Sequence, residues 1–250
     1  MVDVFEQEMQ EIFPRNPLQQ VALEIRYPPD LTILSSILPN FQKRVRNRYP
    51  QYSMGQVITL PIGTTNNEAT FQSANGERQL KLSDHHFAII FTRYTTFRDF
   101  EGEALNVIGV LDELAELGTL QRVGLRYINN IIIQERDHDI KDVVNPFVDM
   151  TRLPMGALRQ FVSTVNIVRE EHGLNVTTAQ LPPTGLPQRQ QMSDDVQARA
   201  IYVLDIDCFT DEPKTVRDLS DVLPFFRREI KAIFLTHVTD SYKQRMRGVQ

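Results

Sequence analysis

Ala69-Thr70-Phe71-Gln72-Ser73-Ala74-Asn75-Gly76-Glu77-Arg78-Gln79-Leu80-Lys81-Leu82-Ser83 decides the fold class. Asn75-Gly76 is a strong short-range hairpin signal, because both central turn positions need positive φ. Ala69 to Ala74 and Glu77 to Ser83 are therefore read as antiparallel strands. Upstream, Gln56 to Pro61 reads as another short strand and Gly63 to Asn67 as polar loop. Downstream, Asp84-His85 reads as a turn and His86 to Tyr94 as a long apolar strand covered on both faces. Such a run is a meander.

Further out, Val21-Ala22-Leu23-Glu24-Ile25-Arg26-Tyr27 alternates, with Val21, Leu23, Ile25 and Tyr27 on one face. Pro28-Pro29 ends it, since proline donates nothing to a ladder. Phe41, Val45 and Tyr49 recur at spacing four and predict one face of a helix that Pro50 stops. Thr96-Phe97-Arg98-Asp99 opens a second helix, with Thr96 as cap and Phe100, Val107, Ile108, Leu111 and Leu114 as its buried stripe. Gly118 reads as its stop. Gln121 to Ile133 returns as strand.

The second half rhymes with the first. Leu158 to Glu170 alternates as a strand, Glu171-His172-Gly173 turns, and Leu174 to Leu181 returns. Pro182 to Asp195 has loop composition. Ala200 to Cys208 is an apolar strand, and Thr215-Val216-Arg217-Asp218 opens a last long helix carrying Leu219, Leu223, Phe226, Ile230 and Ile233. The fold class is α+β, a mostly antiparallel sheet with helices packed on one face. The two Thr-x-Arg-Asp helix starts suggest internal duplication of a strand–strand–helix unit; two independent starts explain them equally, since Thr and Asp favour that place. Residues 1–250 read as a single α+β domain, or as two interlocked halves, 15–135 and 155–250.

The chain has 250 residues, 41% hydrophobic and 24% charged, as in an ordinary globular protein. Collagen-like, coiled-coil and wholly disordered chains are excluded. Net charge is −5, which disfavours nucleic-acid binding driven by bulk charge. One cysteine, Cys208, forms no internal disulfide and no cysteine zinc site, and favours a reducing compartment. The acidic start lacks an apolar signal core and no run is long enough to span a membrane, so the expected location is cytoplasmic.

Motifs for dinucleotide binding, phosphate loops, serine hydrolases and zinc peptidases are missing. His85-His86 sits at a predicted turn, where neighbours in extended chain point apart. Asp205 and Asp207 share a strand face about 7 Å apart, a pair suited to Mg²⁺ or to acid–base work, or simply to meeting basic neighbours. Lys43, Arg44, Arg46 and Arg48 crowd the first helix. They suit phosphate or a partner protein, with Phe41 and Tyr49 beside them, or a solvated face. Arg93 lies in a run expected to be buried, and Arg26 and Arg126 stand on polar strand faces. A buried arginine needs a carboxylate or a ligand anion. Internal ion pairing answers that need; a polar pocket built by Arg26, Arg93, Arg126 and Asn129 is the sharper alternative.

Three segments together resemble a known family. They are Pro17-Leu18-Gln19-Gln20-Val21-Ala22-Leu23-Glu24-Ile25-Arg26-Tyr27, then Val123-Gly124-Leu125-Arg126-Tyr127-Ile128-Asn129, and the closing His237-Val238-Thr239-Asp240. The chain resembles a sporadically distributed, laterally transferred bacterial family of similar length with a central G-L-R-Y-I-N strand. The resemblance implies no established enzymatic activity and carries over no catalytic residue. It implies mobile or defence-related gene neighbourhoods. The expectation is a non-catalytic binding or regulatory module that needs no cofactor. It would act with a protein partner or as a homodimer, in a defence or toxin–antitoxin-like setting. The helix with Phe41 and Tyr49, or a sheet edge at Gln56–Pro61 or Leu174–Leu181, would make the contact. The alternatives are a metal-assisted enzyme using Asp205 and Asp207, and a nucleic-acid binder working through the first helix.

Overall fold

Alternation places Val21, Leu23 and Ile25 on one side of β1 (Leu18–Arg26), where all three are buried. The computed structural model describes residues 7–9, 11–59, 64–134, 136–137, 139–146, 160–169, 171–182 and 198–248. The remaining strands are β2 (Gln51–Thr59), β3 (Thr64–Gln72), β4 (Arg78–Leu82), β5 (His86–Phe91), β6 (Arg122–Gln134), β7 (Phe161–Val168), β8 (Gly173–Leu181) and β9 (Ala198–Thr210). They form one sheet in the order β2-β3-β4-β5-β1-β6-β9-β8-β7. Every pairing is antiparallel. The fold is α+β.

Register turns alternation into a core. One row crosses the whole sheet: Tyr52, Phe71, Leu80, Ile89, Leu23, Leu125, Cys208, Leu174 and Ile167. From Phe71 to Leu174 every member is fully buried. Such cross-strand neighbours are the unit of sheet stabilisation. The helices are α1 (Leu38–Val45), α2 (Phe97–Ala115), α3 (Leu219–His237) and α4 (Asp240–Arg247). Phe41 of α1 meets Phe71 and Phe87 edge to face, Phe100 of α2 meets Phe91, and His237 of α3 stacks on Tyr202. Phe71, Phe87, Phe91 and Tyr202 all stand on the face that carries the buried row. None of the described helices is long and apolar enough to cross a membrane.

Helix ends follow the expected chemistry. Thr96 is extended and its hydroxyl accepts from the Asp99 amide. The α2 C-terminus turns at Glu116, φ 49°, ahead of Gly118, φ 62°. At the hairpin, Gly76 has φ 71° and donates to the Ser73 carbonyl.

Several expectations change. β5 ends at Phe91, so Arg93 lies beyond it; its side chain is 71% exposed and ion-paired with Glu77. Leu174–Leu181 is no sheet edge, because β9 inserts on one side of it while β7 holds the other. Phe41 and Tyr49 are core residues, fully buried on the inner side of their helix and the turn after it. The segment read as Leu158–Glu170 is described as β7, while His138, residues 183–195 of the proline-rich loop and Pro61 lie outside the described residues.

Phe209 shows how glycine placement shapes the other face. It sits between Gly124 and Gly173 on the two neighbouring strands, with the Arg122 guanidinium 4.1 Å from its ring centre. A Cβ on Gly173 would lie 2.5 Å from Phe209 Cζ. Gly173→Ala is expected to destabilise by about 1–3 kcal/mol through overpacking. A urea midpoint equal to that of the unaltered protein would mean that the ring swings aside freely.

Candidate ligand-binding cavity

On the buried face of β6, two positions break the apolar series. Tyr127 and Asn129 stand where Val123, Leu125 and Ile131 are aliphatic. Asn129 is buried and its Nδ2 donates to the Leu204 carbonyl at 3.1 Å, so the amide is fixed across the strand pair. Tyr127 faces a cavity of about 740 Å³. Four segments build its wall. β6 gives Tyr127 and Asn129; the α2 entry gives Tyr94, Phe97, Arg98 and Glu101; α3 gives Arg227, Ile230, Lys231 and Phe234; residues 11–16 cross as a strap that runs on into Leu18 at the start of β1. The α3 contribution falls at i, i+3, i+4 and i+7, one helical face.

The two tyrosines are held together. Tyr127 Oη donates to Tyr94 Oη at 3.4 Å, and the ring centres are 5.9 Å apart. Burial raises the pKa of both phenols, which stay protonated. Arg227 lies 4.9 Å from the centre of the Phe97 ring. Among the described residues its guanidinium makes no hydrogen bond. Glu101 is half-buried and burial raises its pKa. Lys231 donates to the carbonyls of Met9 at 2.8 Å and Glu11 at 2.7 Å, holding the strap. Burial, with Arg227 beside it, pushes the Lys231 pKa down to about 8. Glu11 is ion-paired to Arg247, and Glu8 to Lys243 and Arg247, so α4 clamps the same strap.

The other sheet face carries charge in matched pairs. Arg126 holds Asp205 in a two-pronged contact, Nε to Oδ1 at 2.8 Å and Nη2 to Oδ2 at 2.5 Å. Arg122 holds Asp207 at 2.9 Å, and Arg26 meets Glu24 at 2.7 Å. Burial raises the Asp207 pKa while Arg122 pulls it down. Lys81 and His86 both reach the buried Glu68, at 3.0 and 3.1 Å. Cys208 is buried on the opposite face, where burial raises its thiol pKa and keeps it unreactive.

The expected pocket of Arg26, Arg93, Arg126 and Asn129 does not assemble. Only Asn129 lines the cavity; Arg26 and Arg126 lie on the other face and Arg93 points to solvent with Glu77. Asp205 and Asp207 are each taken by an arginine, and among the described residues no three His, Cys, Asp or Glu side chains gather as a metal site. Arg44 pairs with Glu113 and Arg48 with Glu103 and Asn106, so part of the α1 charge is spent on α2. The missed residues are Tyr94, Tyr127, Glu101, Arg227 and Lys231. Tyr127 had a signal, a phenol on the buried side of an alternating strand. Arg227 and Lys231 had another, two cations four apart flanking the apolar stripe of α3. No protein-family model matches the chain, and no curated protein matches it either.

Proposed function

We propose that this chain is a non-catalytic binding module that takes a small amphipathic carboxylate in the helix–sheet cavity and presents the occupied state to a protein partner. The observation that carries the reading is Arg227, held over Phe97 at the cavity wall with its donors uncommitted among the described residues. Guanidinium suits a carboxylate because its fork makes two parallel hydrogen bonds. Arg98 adds a second guanidinium to the same wall, with Glu101 beside it. Tyr94, Tyr127, Ile230 and Phe234 offer a flat apolar bed for a ring or short chain, and the paired phenols offer one polar contact. Small-molecule sites commonly combine an apolar wall with few polar groups in this way.

Calorimetric titration with benzoate, 4-hydroxybenzoate, phenylacetate and neutral benzamide tests it. At least one acid is expected to bind while benzamide does not. Arg227→Ala is expected to weaken binding ten- to hundredfold, the worth of a charged hydrogen bond, with Arg227→Lys recovering part. Heat from none of the acids, or unchanged affinity in Arg227→Ala, would remove the reading.

We also infer an internal duplication with helices on one face. In the first half β1 lies beside β5, the last strand of a meander that runs into α2; in the second β6 lies beside β9, which runs into α3. β1 and β6 meet antiparallel at the centre, as a local two-fold axis requires. Phe100 on Phe91 and His237 on Tyr202 support a common helix layer.

A further inference from the structure

β7 is the last strand of the sheet, with β8 on one side. Its sequence, Phe161-Val162-Ser163-Thr164-Val165-Asn166-Ile167-Val168, holds no proline and no charge. Natural edge strands normally carry such residues to prevent pairing with another chain. Val162 is 64% exposed and Val168 is 81% exposed. Phe161, Ser163, Val165 and Ile167, on the helix side, are only half-covered. The first half differs at the matching place. There β3 carries β2 as its outer neighbour, while among the described residues β7 has none.

We propose that a second copy of this chain occupies this edge, pairing β7 with β7 antiparallel about a two-fold axis at Val165. The register follows from the pleat. Directly opposed residues must share a sheet face, so a symmetric pair of strands is centred on a residue. Centring on Val165 sets Val162 against Val168 of the partner subunit, twice. Both exposed valines then gain an apolar neighbour. The same register sets Thr164 against Asn166 of the partner subunit, a polar pair on the same face. Between β7 and β8 of one chain the same face already carries polar pairs, Thr164 with Thr177 at 3.0 Å and Asn166 with Asn175 at 2.5 Å. Ser163 meets Ile167 of the partner subunit on the helix side. Centring on Thr164 instead opposes Val162 with Asn166 of the partner subunit and leaves Val168 outside the strand. The Val165 register is the one that covers both valines. Partner and edge are thus the same segment, and the two sheets join into one.

The inference is independent of the cavity, and its test contains no acid ligand. Sedimentation velocity at about 50 µM is expected to give twice the 28.9 kDa chain mass. Val162→Lys with Val168→Lys opposes two like charges at both ends and is expected to give the single-chain mass. Both sites are exposed, so the circular dichroism and thermal midpoint should stay as they were. Val162→Lys with Val168→Glu opposes unlike charges and is expected to restore the dimer. Val165→Cys, on the axis, is expected to form a disulfide-linked dimer on mild oxidation, with buried Cys208 silent. A single-chain mass for the unaltered protein overturns the proposal. So does a dimer that survives the double lysine change, which would place the contact elsewhere, at β2 or α1.

Discussion

Phe41→Ala is expected to lower the unfolding free energy by about 3–5 kcal/mol, the usual loss when a fully buried phenylalanine is cut back. Phe41 has no exposed surface, and its ring meets Phe71 at 5.6 Å and Phe87 at 6.1 Å between centres, both edge to face. It is the pin that fixes α1 to the sheet. Removing it takes away the transfer energy of the ring and leaves a void between three elements that cannot all collapse inward. Urea denaturation measures the loss. A loss under about 1 kcal/mol, coupled with failure of a protein contact, would return Phe41 to the surface role that its helix suggests from sequence.

Acid titration of stability carries the second large effect. His237 is buried beside Tyr202, whose hydroxyl is hydrogen-bonded with Nε2 at 2.7 Å, and burial lowers the imidazole pKa from 6.5 to about 4. In the unfolded chain the same ring takes up its proton near 6.5. Between those values the unfolded state binds more protons, so stability is complete above pH 6.5 and falls as pH drops toward 4. The span corresponds to about 3 kcal/mol. Urea unfolding at several pH values between 7.5 and 4.5 should show this slope. His237→Gln keeps an acceptor for Tyr202 and should flatten it. Parallel slopes for the two proteins would mean that other groups set the acid limit.

Much of the fold was legible because it is local. The Val21 to Tyr27 alternation and the Thr96 cap each depend on a few adjacent residues, and the structure has both; the hairpin also forms, but its turn runs Ser73 to Gly76 with Ala74 and Asn75 at the centre and, of Asn75 and Gly76, only Gly76 at positive φ. Strand order is not local. Leu174–Leu181 reads the same at an edge as in the interior, and only the later strand that inserts beside it decides. Arg93 shows the limit of reading ends, since an apolar run does not announce that its pairing stops two residues earlier. The periodicity of Phe41, Val45 and Tyr49 named a shared face correctly, yet periodicity cannot say whether a face meets the core or a partner. The cavity was least legible of all. Its groups come from four separate segments, and each group alone has an ordinary explanation.

The strap over the cavity has a consequence for the order of folding. Its clamps join residues far apart in the chain: Glu8 to Lys243, 235 positions on, and Glu11 to Arg247, 236 positions on. Ring closure over such a span costs more entropy than any sheet hairpin, whose turn joins near neighbours. The sheet's hairpins therefore form first and the roof of the cavity last. Amide protons in the β4–β5 and β7–β8 hairpins should gain protection in an early refolding phase. Those at residues 11–16 should gain it only when the C-terminal helix docks, so the cavity is the last part of the molecule to acquire a shape.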